Sequence, residues 1–456
     1  MNLKQFFILC SAVFLTSSCN DMKTTLVLED VTIIDGTGRS PLPSSCIIIE
    51  EGRIIHIGKT GGSDYPENAQ LLNLSNKYVI PGLIEMHAHM YGKQYFEEVC
   101  QTLLSFGITT IRNPAGQAED CVELRNLLAS GKIRGPRMFT AGWLIDGPGS
   151  ISGGIVVENE EEVRNVVRQQ VNTGVDYIKL YTHLTPDLVK AAIDEGHSHG
   201  LEVIGHLGKT SWTFAANAGI DALLHSAMAG PIWELIPAEN QDMFRNLANP
   251  TKDFDPNLFK AWGEAFDIDG PELKELIKIL ADNQVVVDPT LVMMEAMIWG
   301  NDTIYREMLE SDFAPEDISQ FWREEKLNPY TSWWSDEAFS DAQELFPVFL
   351  EIVKGFYDAG VLITAGSDQG NPWITPGVAF HRELELMVKA GIPELEVIKI
   401  ATRNGAEALR ILDETGTIEI GKQANLVVLN SDPIESIKNT RKIEIILKQG
   451  LLYYPE

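Results

Sequence analysis

Cysteine is scarce in this chain, five in 456 residues. Two of them, Cys10 and Cys19, fall in the first twenty residues, which leaves Cys46, Cys100 and Cys121, an odd number with no CxxC spacing. That argues against a disulfide framework and against a cysteine-ligated metal, and buried free thiols are the expectation. Positive charge is scarce too. Lys and Arg total 36 against 65 Asp and Glu, a formal net charge of −29. Such acidity argues against nucleic acid or an anionic membrane surface as the main partner and leaves small molecules open. Beyond residue 20 no apolar run is long enough to span a bilayer. Two motifs are also missing: a glycine-rich phosphate turn after the first strand of the central region, and a GxSxG nucleophile elbow.

The one concentrated apolar segment lies at the start. In "MNLKQFFILCSAVFLTSSCN", Lys4 precedes an apolar stretch over 6–15 and then small residues up to Cys19. This is the layout of a secretory signal, too short for a stop-transfer helix. Thr-Ser-Ser before Cys19 resembles a bacterial lipoprotein cleavage site, although Thr16 stands where leucine is usual. Residues 1–19 are therefore expected to be a signal peptide of lipoprotein type. The protein is expected to be exported to the periplasm or cell envelope, with a lipid on Cys19 as its only membrane attachment.

What remains is globular: 44% hydrophobic and 22% charged residues. From 24 to about 80, short β-branched runs such as "TTLVLEDVTIIDG" and "SCIIIEEGRIIHIG" alternate with turn residues, and the same texture returns in "GTIEIGKQANLVVLN" and "KIEIILKQGLLYY". One composite β-sandwich from both ends, 24–80 with 413–456, accounts for both. Between them, strand-like runs occur at 79–87, 108–112, 137–141, 176–180, 202–206, 222–225, 285–289 and 361–368, mostly separated by helical patterns. One such helix starts with Thr185 as N-cap and Pro186 at its first position, and Gly200 follows its end. Eight alternations predict an α/β fold, a (β/α)8 TIM barrel over 81–412. The connections over 230–283 and 295–346 are long and hold six of nine tryptophans (Trp233, Trp262, Trp299, Trp322, Trp333 and Trp334). They read either as a lid or as a packed helical subdomain.

The chemistry-bearing residues sit where strands end. In "VIPGLIEMHAHMYG", His87 and His89 close the first barrel strand. Residues i and i+2 of a strand project to one side, so both imidazoles suit one metal ion. The other HxH, His197 and His199 in "EGHSHG", lies on a helix, where i and i+2 diverge by about 200°, and is expected to be solvated. His206 ends "EVIGHL", His225 ends "ALLHS" and Asp368 ends "GVLITAGSD". Lys179 stands inside the apolar run "VDYIKLY", where an unpaired charge is costly.

These motifs resemble the amidohydrolase superfamily, in its imidazolonepropionase-like and Xaa-Pro dipeptidase-like branch. "VIPGLIEMHAH" is similar to the family's first-strand metal motif and "TAGSDQGNPWITPGVAFHRELELMVKAGI" to its last-strand region, while "ATRNGAEALRI" and "GTIEIGKQANLVVLN" match the closing helix and the return to the sandwich. Asn425 departs from the aspartate usual in that last motif. The resemblance implies two divalent metal ions, one held by His87, His89 and Asp368 and the other by His206 and His225. Lys179, carboxylated by carbon dioxide to a carbamate, would bridge them. The donor set suits Zn²⁺, with Mn²⁺ or Fe²⁺ as alternatives. Such a pair shares a hydroxide that attacks a carbonyl, with Asp368 as general base and then acid. Tyr181 and His183 follow Lys179 at i+2 spacing, Tyr181 to polarise the carbonyl and His183 to bind a substrate carboxylate. His381 is a candidate second-shell neighbour of Asp368, Trp373 a candidate pocket wall, and His56 structural.

The expected activity is metal-dependent hydrolysis of a C–N bond in a small amide, such as an N-acyl amino acid or an Xaa-Pro-type dipeptide. Alternatives are a mononuclear deaminase or cyclic-amide hydrolase, a lactonase or esterase, and a non-catalytic binding lipoprotein.

Overall fold

A computed structural model describes residues 25–62, 65–150, 153–225, 232–247, 255–309, 311–324 and 331–455. The signal segment with Cys10 and Cys19 lies outside them. Four strands come first, β1 (Leu26–Ile33), β2 (Leu42–Glu50), β3 (Arg53–Lys59) and β4 (Gln70–Pro81). The central region follows with β5 (Leu83–Glu85), β6 (Ile108–Asn113), β7 (Arg137–Thr140), β8 (Ile145–Asp146), β9 (Ile155–Val156), β10 (Tyr177–Leu180), β11 (Glu202–Gly205), β12 (Ala222–Leu224) and β13 (Val286–Asp288). The chain closes with β14 (Leu426–Leu429), β15 (Ile443–Lys448) and β16 (Leu451–Tyr453).

Both chain ends build one sheet of order β16-β15-β14-β4-β1-β2-β3, parallel only at β1–β4. A flat sheet at about 4.8 Å per strand would hold β3 far from β15. Here Ala424 N donates to Gly52 O, in the β2–β3 turn, and Gly450 N, after β15, donates to Ala424 O. The sheet therefore curls over itself, and Leu28, Ile47, Ile54, Val79, Val428, Ile445 and Leu447 share one buried core. That is the sandwich, contributed by both ends.

The barrel runs β5-β6-β7 and β10-β11-β12-β13, all parallel. A bridge from Ala141 to Tyr177 joins the two groups, and residues 361–369 close the ring by bridging Val287 through Ile363 and Ala88 through Gln369. Met86 N donates to Ala365 O at 2.8 Å and Asp368 N to His87 O at 2.8 Å, so this eighth strand is hydrogen-bonded to the first. Helices Phe96–Ser105, Ala118–Ala129, Glu160–Thr173, Pro186–Ser198, Trp212–Ala218, Pro271–Asp282, Asp336–Asp358 and Val378–Lys389 follow the eight strands in turn. The fold is the expected (β/α)8 barrel with its sandwich.

The differences are local. The run expected as a single strand over 79–87 is split at Pro81–Gly82. Val79 pairs with Val428 in the sandwich, and the barrel strand starts only at Leu83. A Cβ on Gly82 would sit 2.2 Å from Thr109 Oγ1, so the chain can pass from sheet to barrel there only as glycine. Pro186–Ser198 forms as read, with Thr185 at the N-cap position but without a side-chain hydrogen bond. Cys46, Cys100 and Cys121 are free and buried. Among the described residues no helix is long and apolar enough to cross a membrane.

In the long connections, Trp262 stacks on Phe266 (4.4 Å) and Phe349 (5.9 Å), Trp334 meets Phe259 edge-on and Trp299 meets Phe346 edge-on. These rings pack into the same core as the barrel's outer helices. Trp333 remains exposed.

Candidate metal centre

The face of each barrel strand follows from its partners. Lys179 pairs with Ile204 and Ile204 with Ala222, so these residues share a face, and His206 continues it two residues after Ile204. Leu224 pairs with Asp288. On regular alternation His225, next to Leu224, would turn outward. It does not, because its φ of 70° lies in the left-handed region and redirects the ring. Asp368 is also left-handed, φ 63°. Such conformations cost about 1–3 kcal/mol each in non-glycine residues and gather at functional sites.

The six sequence candidates come together at the C-terminal mouth. His87 Nε2 lies 3.2 Å and His89 Nε2 3.3 Å from Asp368 Oδ1, and His225 Nδ1 lies 3.9 Å from Asp368 Oδ2. Ring centroids are 5.3 Å apart for His87–His89, 4.9 Å for His87–His225 and 4.3 Å for His206–His225. His87, His225 and Asp368 each offer a ligand atom within 4.8 Å of the others. Lys179 is buried beside them, close enough to act electrostatically on both His87 and His225. Tyr181 stacks edge-on against His206 at 4.7 Å, and Lys179 Nζ stands 6.0 Å from the Tyr181 ring.

Burial, reinforced by neighbouring positive groups, holds His87 and His225 well below the usual imidazole range. Both rings are therefore neutral at neutral pH and keep a lone pair for a cation. Burial also brings the Lys179 amine down to about 7, helped by Arg112 and opposed by Asp368 and Asp288. The donor set fits a divalent metal. His87 is wholly buried, yet neither of its ring nitrogens has a well-aligned hydrogen bond, and Asp368 Oδ1 is equally unsatisfied. Buried polar atoms of this kind are rare in folded proteins. A cation would satisfy His87 Nε2 and Asp368 Oδ1 together, while His87 Nδ1 faces the Asp288 carboxylate at 3.4 Å.

Four residues absent from the sequence reading belong here. Asp288, at the end of β13, is fully buried, with Oδ2 3.4 Å from both His87 Nδ1 and Arg112 Nη2, and burial raises its carboxyl to about 6. Arg112 itself is buried and donates Nε to Met86 O at 2.8 Å. Thr290 Oγ1 is 2.7 Å from His225 Nδ1. Asp146 is buried behind His183. It accepts from His183 N at 2.6 Å and from Gly147 N at 2.8 Å, and its Oδ2 lies 3.2 Å from His183 Nδ1. The signal for Asp288 was available, since it ends the apolar run "VVVD" as His206 ends its own.

Some candidates lie elsewhere. His381 is not a neighbour of Asp368: its Nδ1 meets Thr440 Oγ1 at 2.8 Å and its Nε2 meets Phe106 O at 3.0 Å, so both nitrogens are committed beneath the sandwich. His197 pairs with Asp221 and His199 with Glu195 at the surface. Trp373 is buried with φ 68°, between Trp322 at 6.2 Å and Arg306 at 5.4 Å.

A family model described as the amidohydrolase family matches residues 78–231 and 277–452, most of the chain. The chain belongs to the amidohydrolase family. Membership makes it a hydrolase acting on C–N bonds, in a family that generally uses divalent metals. Among characterised amidohydrolases and their relatives, it is 22% identical over 507 residues to the ochratoxinase of Aspergillus niger, covering 96% of this chain and 88% of that protein. Imidazolonepropionase of Bacteroides thetaiotaomicron is 21% identical over 472 residues, covering 95% and 99%. In fold it resembles a solved Xaa-Pro dipeptidase with methionine bound in its active site: TM-score 0.69, 21% identity, 94% of this chain and 100% of that one.

Proposed function

We propose that this amidohydrolase cleaves the amide or peptide-like bond of a small molecule carrying a free carboxylate, an N-acyl amino acid or an Xaa-Pro-type dipeptide, with two zinc ions. His87, His89 and Asp368 would hold one ion, His206 and His225 the other, and a carbamate on Lys179 would bridge them. The observation that carries the reading is His87, wholly buried among His225, Asp368 and Lys179 with both ring nitrogens unsatisfied.

When bound, divalent ions supply Lewis acidity and a nucleophile from water at neutral pH. The remaining roles fall to the chain. With its amine brought to about 7, Lys179 is substantially neutral at pH 7 to 8, the form that adds to carbon dioxide. The new N–C bond forms, a proton leaves the nitrogen, and the product is an anionic oxygen donor. Asp368, which faces three imidazoles, would take the proton of the attacking water and pass it to the departing nitrogen as the C–N bond breaks. Tyr181, over His206, would donate to the substrate carbonyl. Asp146 holds His183 by its backbone N–H and faces its Nδ1, which leaves Nε2 for a substrate carboxylate. The relatives named an Xaa-Pro dipeptidase, an ochratoxinase and an imidazolonepropionase support C–N cleavage and leave the leaving group open. The pattern from Lys4 to Cys19 supports an exported enzyme held at the envelope by lipid.

The test is metal content per chain, by elemental analysis of protein purified without chelator, followed by hydrolysis assays on N-acyl amino acids and dipeptides. Two equivalents, falling to one or fewer in Lys179→Ala together with activity, are expected. One equivalent, unmoved by that substitution, would overturn the bridge and favour a single ion among His87, His225 and Asp368.

A further inference from the structure

Strand β13 and the two residues after it supply none of the proposed ligands, yet they touch two of them. His225 is the ligand candidate that strand alternation alone would face away from the site. Its ring is turned inward by a left-handed backbone, and on its Nδ1 side it meets Thr290 Oγ1 at 2.7 Å. Thr290 is completely buried and itself left-handed, φ 46°. For a β-branched residue that conformation is a true outlier, with Cβ crowded against the backbone. Serine or asparagine would satisfy the same backbone more easily, so something other than backbone preference keeps this side chain where it is. The backbones are tied as well, because His225 N donates to Asp288 O at 2.7 Å. Two residues earlier, the Asp288 carboxylate stands 3.4 Å from His87 Nδ1, anchored in turn by Arg112.

We propose that the end of β13 is an orienting element of the metal centre, with Thr290 as the positioning residue of His225 and Asp288 as that of His87. The Thr290 hydroxyl accepts Nδ1–H of His225, which fixes the tautomer and leaves Nε2 as the nitrogen that carries the lone pair. For His87 the Asp288 carboxylate sets a negative charge 3.4 Å from Nδ1, without a well-aligned hydrogen bond, and this favours the proton on that nitrogen while Nε2 faces Asp368. A ligand histidine whose outer nitrogen is held this way keeps its ring angle and basicity, and loss of the holder typically weakens metal binding 10- to 100-fold. The inference rests on the proposed metal centre, and its claim is separate: which residues set the geometry of two ligands.

The experiment is zinc affinity of the full chain, measured by competition with a chromophoric chelator, for wild type, Thr290→Val, Thr290→Gly, Thr290→Ser and Asp288→Asn. Valine keeps the shape and the backbone strain and removes the hydroxyl; glycine removes the hydroxyl and the strain, and so folds at least as readily. We expect Val, Gly and Asn each to weaken zinc binding about 10- to 100-fold, and Ser to stay within about threefold of wild type. Imidazole ¹⁵N spectra of the metal-free protein add a readout independent of activity. His225, assigned by its loss in His225→Gln, should show the Nδ1–H tautomer in wild type and Thr290→Ser and a mixture in Thr290→Gly. Wild-type affinity in Thr290→Gly and Asp288→Asn would overturn this inference and leave the metal centre standing. A wild-type chain that binds no divalent ion would overturn both.

Discussion

Arg112 is the cation that makes the buried Asp288 carboxylate tolerable, and its removal has a calculable signature. Asp288 is fully buried and its carboxyl is raised to about 6, with desolvation the largest cause and Arg112 the largest opposing one. In Arg112→Met the side-chain volume is nearly kept while the charge, the 3.4 Å contact to Asp288 and the bond to Met86 O are lost. Arg112 is the largest influence holding this carboxyl down, so without it burial pushes the pKa further up. The sign follows from linkage. Wherever the variant's native state holds a proton that its unfolded state has released, its stability falls by up to about 1.4 kcal/mol per pH unit. In wild type Asp288 is largely ionised above pH 6, and this slope fades. The gap between the two should therefore widen by up to about 2–3 kcal/mol from pH 6 to pH 8, on top of a constant term of about 1 kcal/mol for the lost hydrogen bond. Urea unfolding of chelator-treated protein at pH 6, 7 and 8 measures it. A gap that is the same at all three pH values would refute the charge argument and reduce Arg112 to a packing residue.

His381 predicts the opposite slope. Its imidazole, buried between Phe106 O and Thr440, is lowered to about 4, so its neutral form favours folding above pH 6.5 and that advantage is lost as pH falls toward 4. His381→Gln should thus lose about 3 kcal/mol less than wild type between pH 6.5 and 4 in thermal or urea unfolding, and equal acid sensitivity would count against it. A Cβ at Gly366 would fall 2.6 Å from both Asp288 carboxylate oxygens and 2.6 Å from His87 Cβ. Gly366→Ala should cost about 1–3 kcal/mol and lower zinc occupancy, and wild-type occupancy in the folded variant would mean the two side chains can separate freely. Asp146→Asn keeps an oxygen for the His183 and Gly147 N–H groups but presents an amide to His183 Nδ1. It should raise KM about tenfold for a carboxylate-bearing dipeptide with kcat little changed, and leave the KM of the matching C-terminal amide alone; equal effects on both would remove His183 from carboxylate recognition.

The barrel was legible because its strands are short β-branched runs with a polar residue at or near the C-terminal end, and burying His87, His225, Lys179 or Asp368 at such a place is too costly to be incidental. The same rule, applied evenly, reaches Arg112 in "ITTIRN" and Asp288 in "VVVDPT", both charged residues at the end of buried strands. They were missed because no metal motif names them. Their role is visible only once β6, β13 and the first strand are neighbours in space. The break at Pro81–Gly82 was written in the sequence, but a continuous apolar run hides a change of sheet, since both environments bury both faces. His381 misled for the converse reason: proximity in sequence to Asp368 says little when a helix carries the next residues to the far side of the sandwich junction. Thr290 could not be found at all from sequence, because its part depends on backbone conformations of residues 65 apart. Regular alternation predicts that His225 faces outward, so its place at the centre is the strongest sign that the fold bears local strain to complete this site. A chain under no demand to bring that imidazole inward would relax His225 and Thr290 together and keep the barrel unchanged.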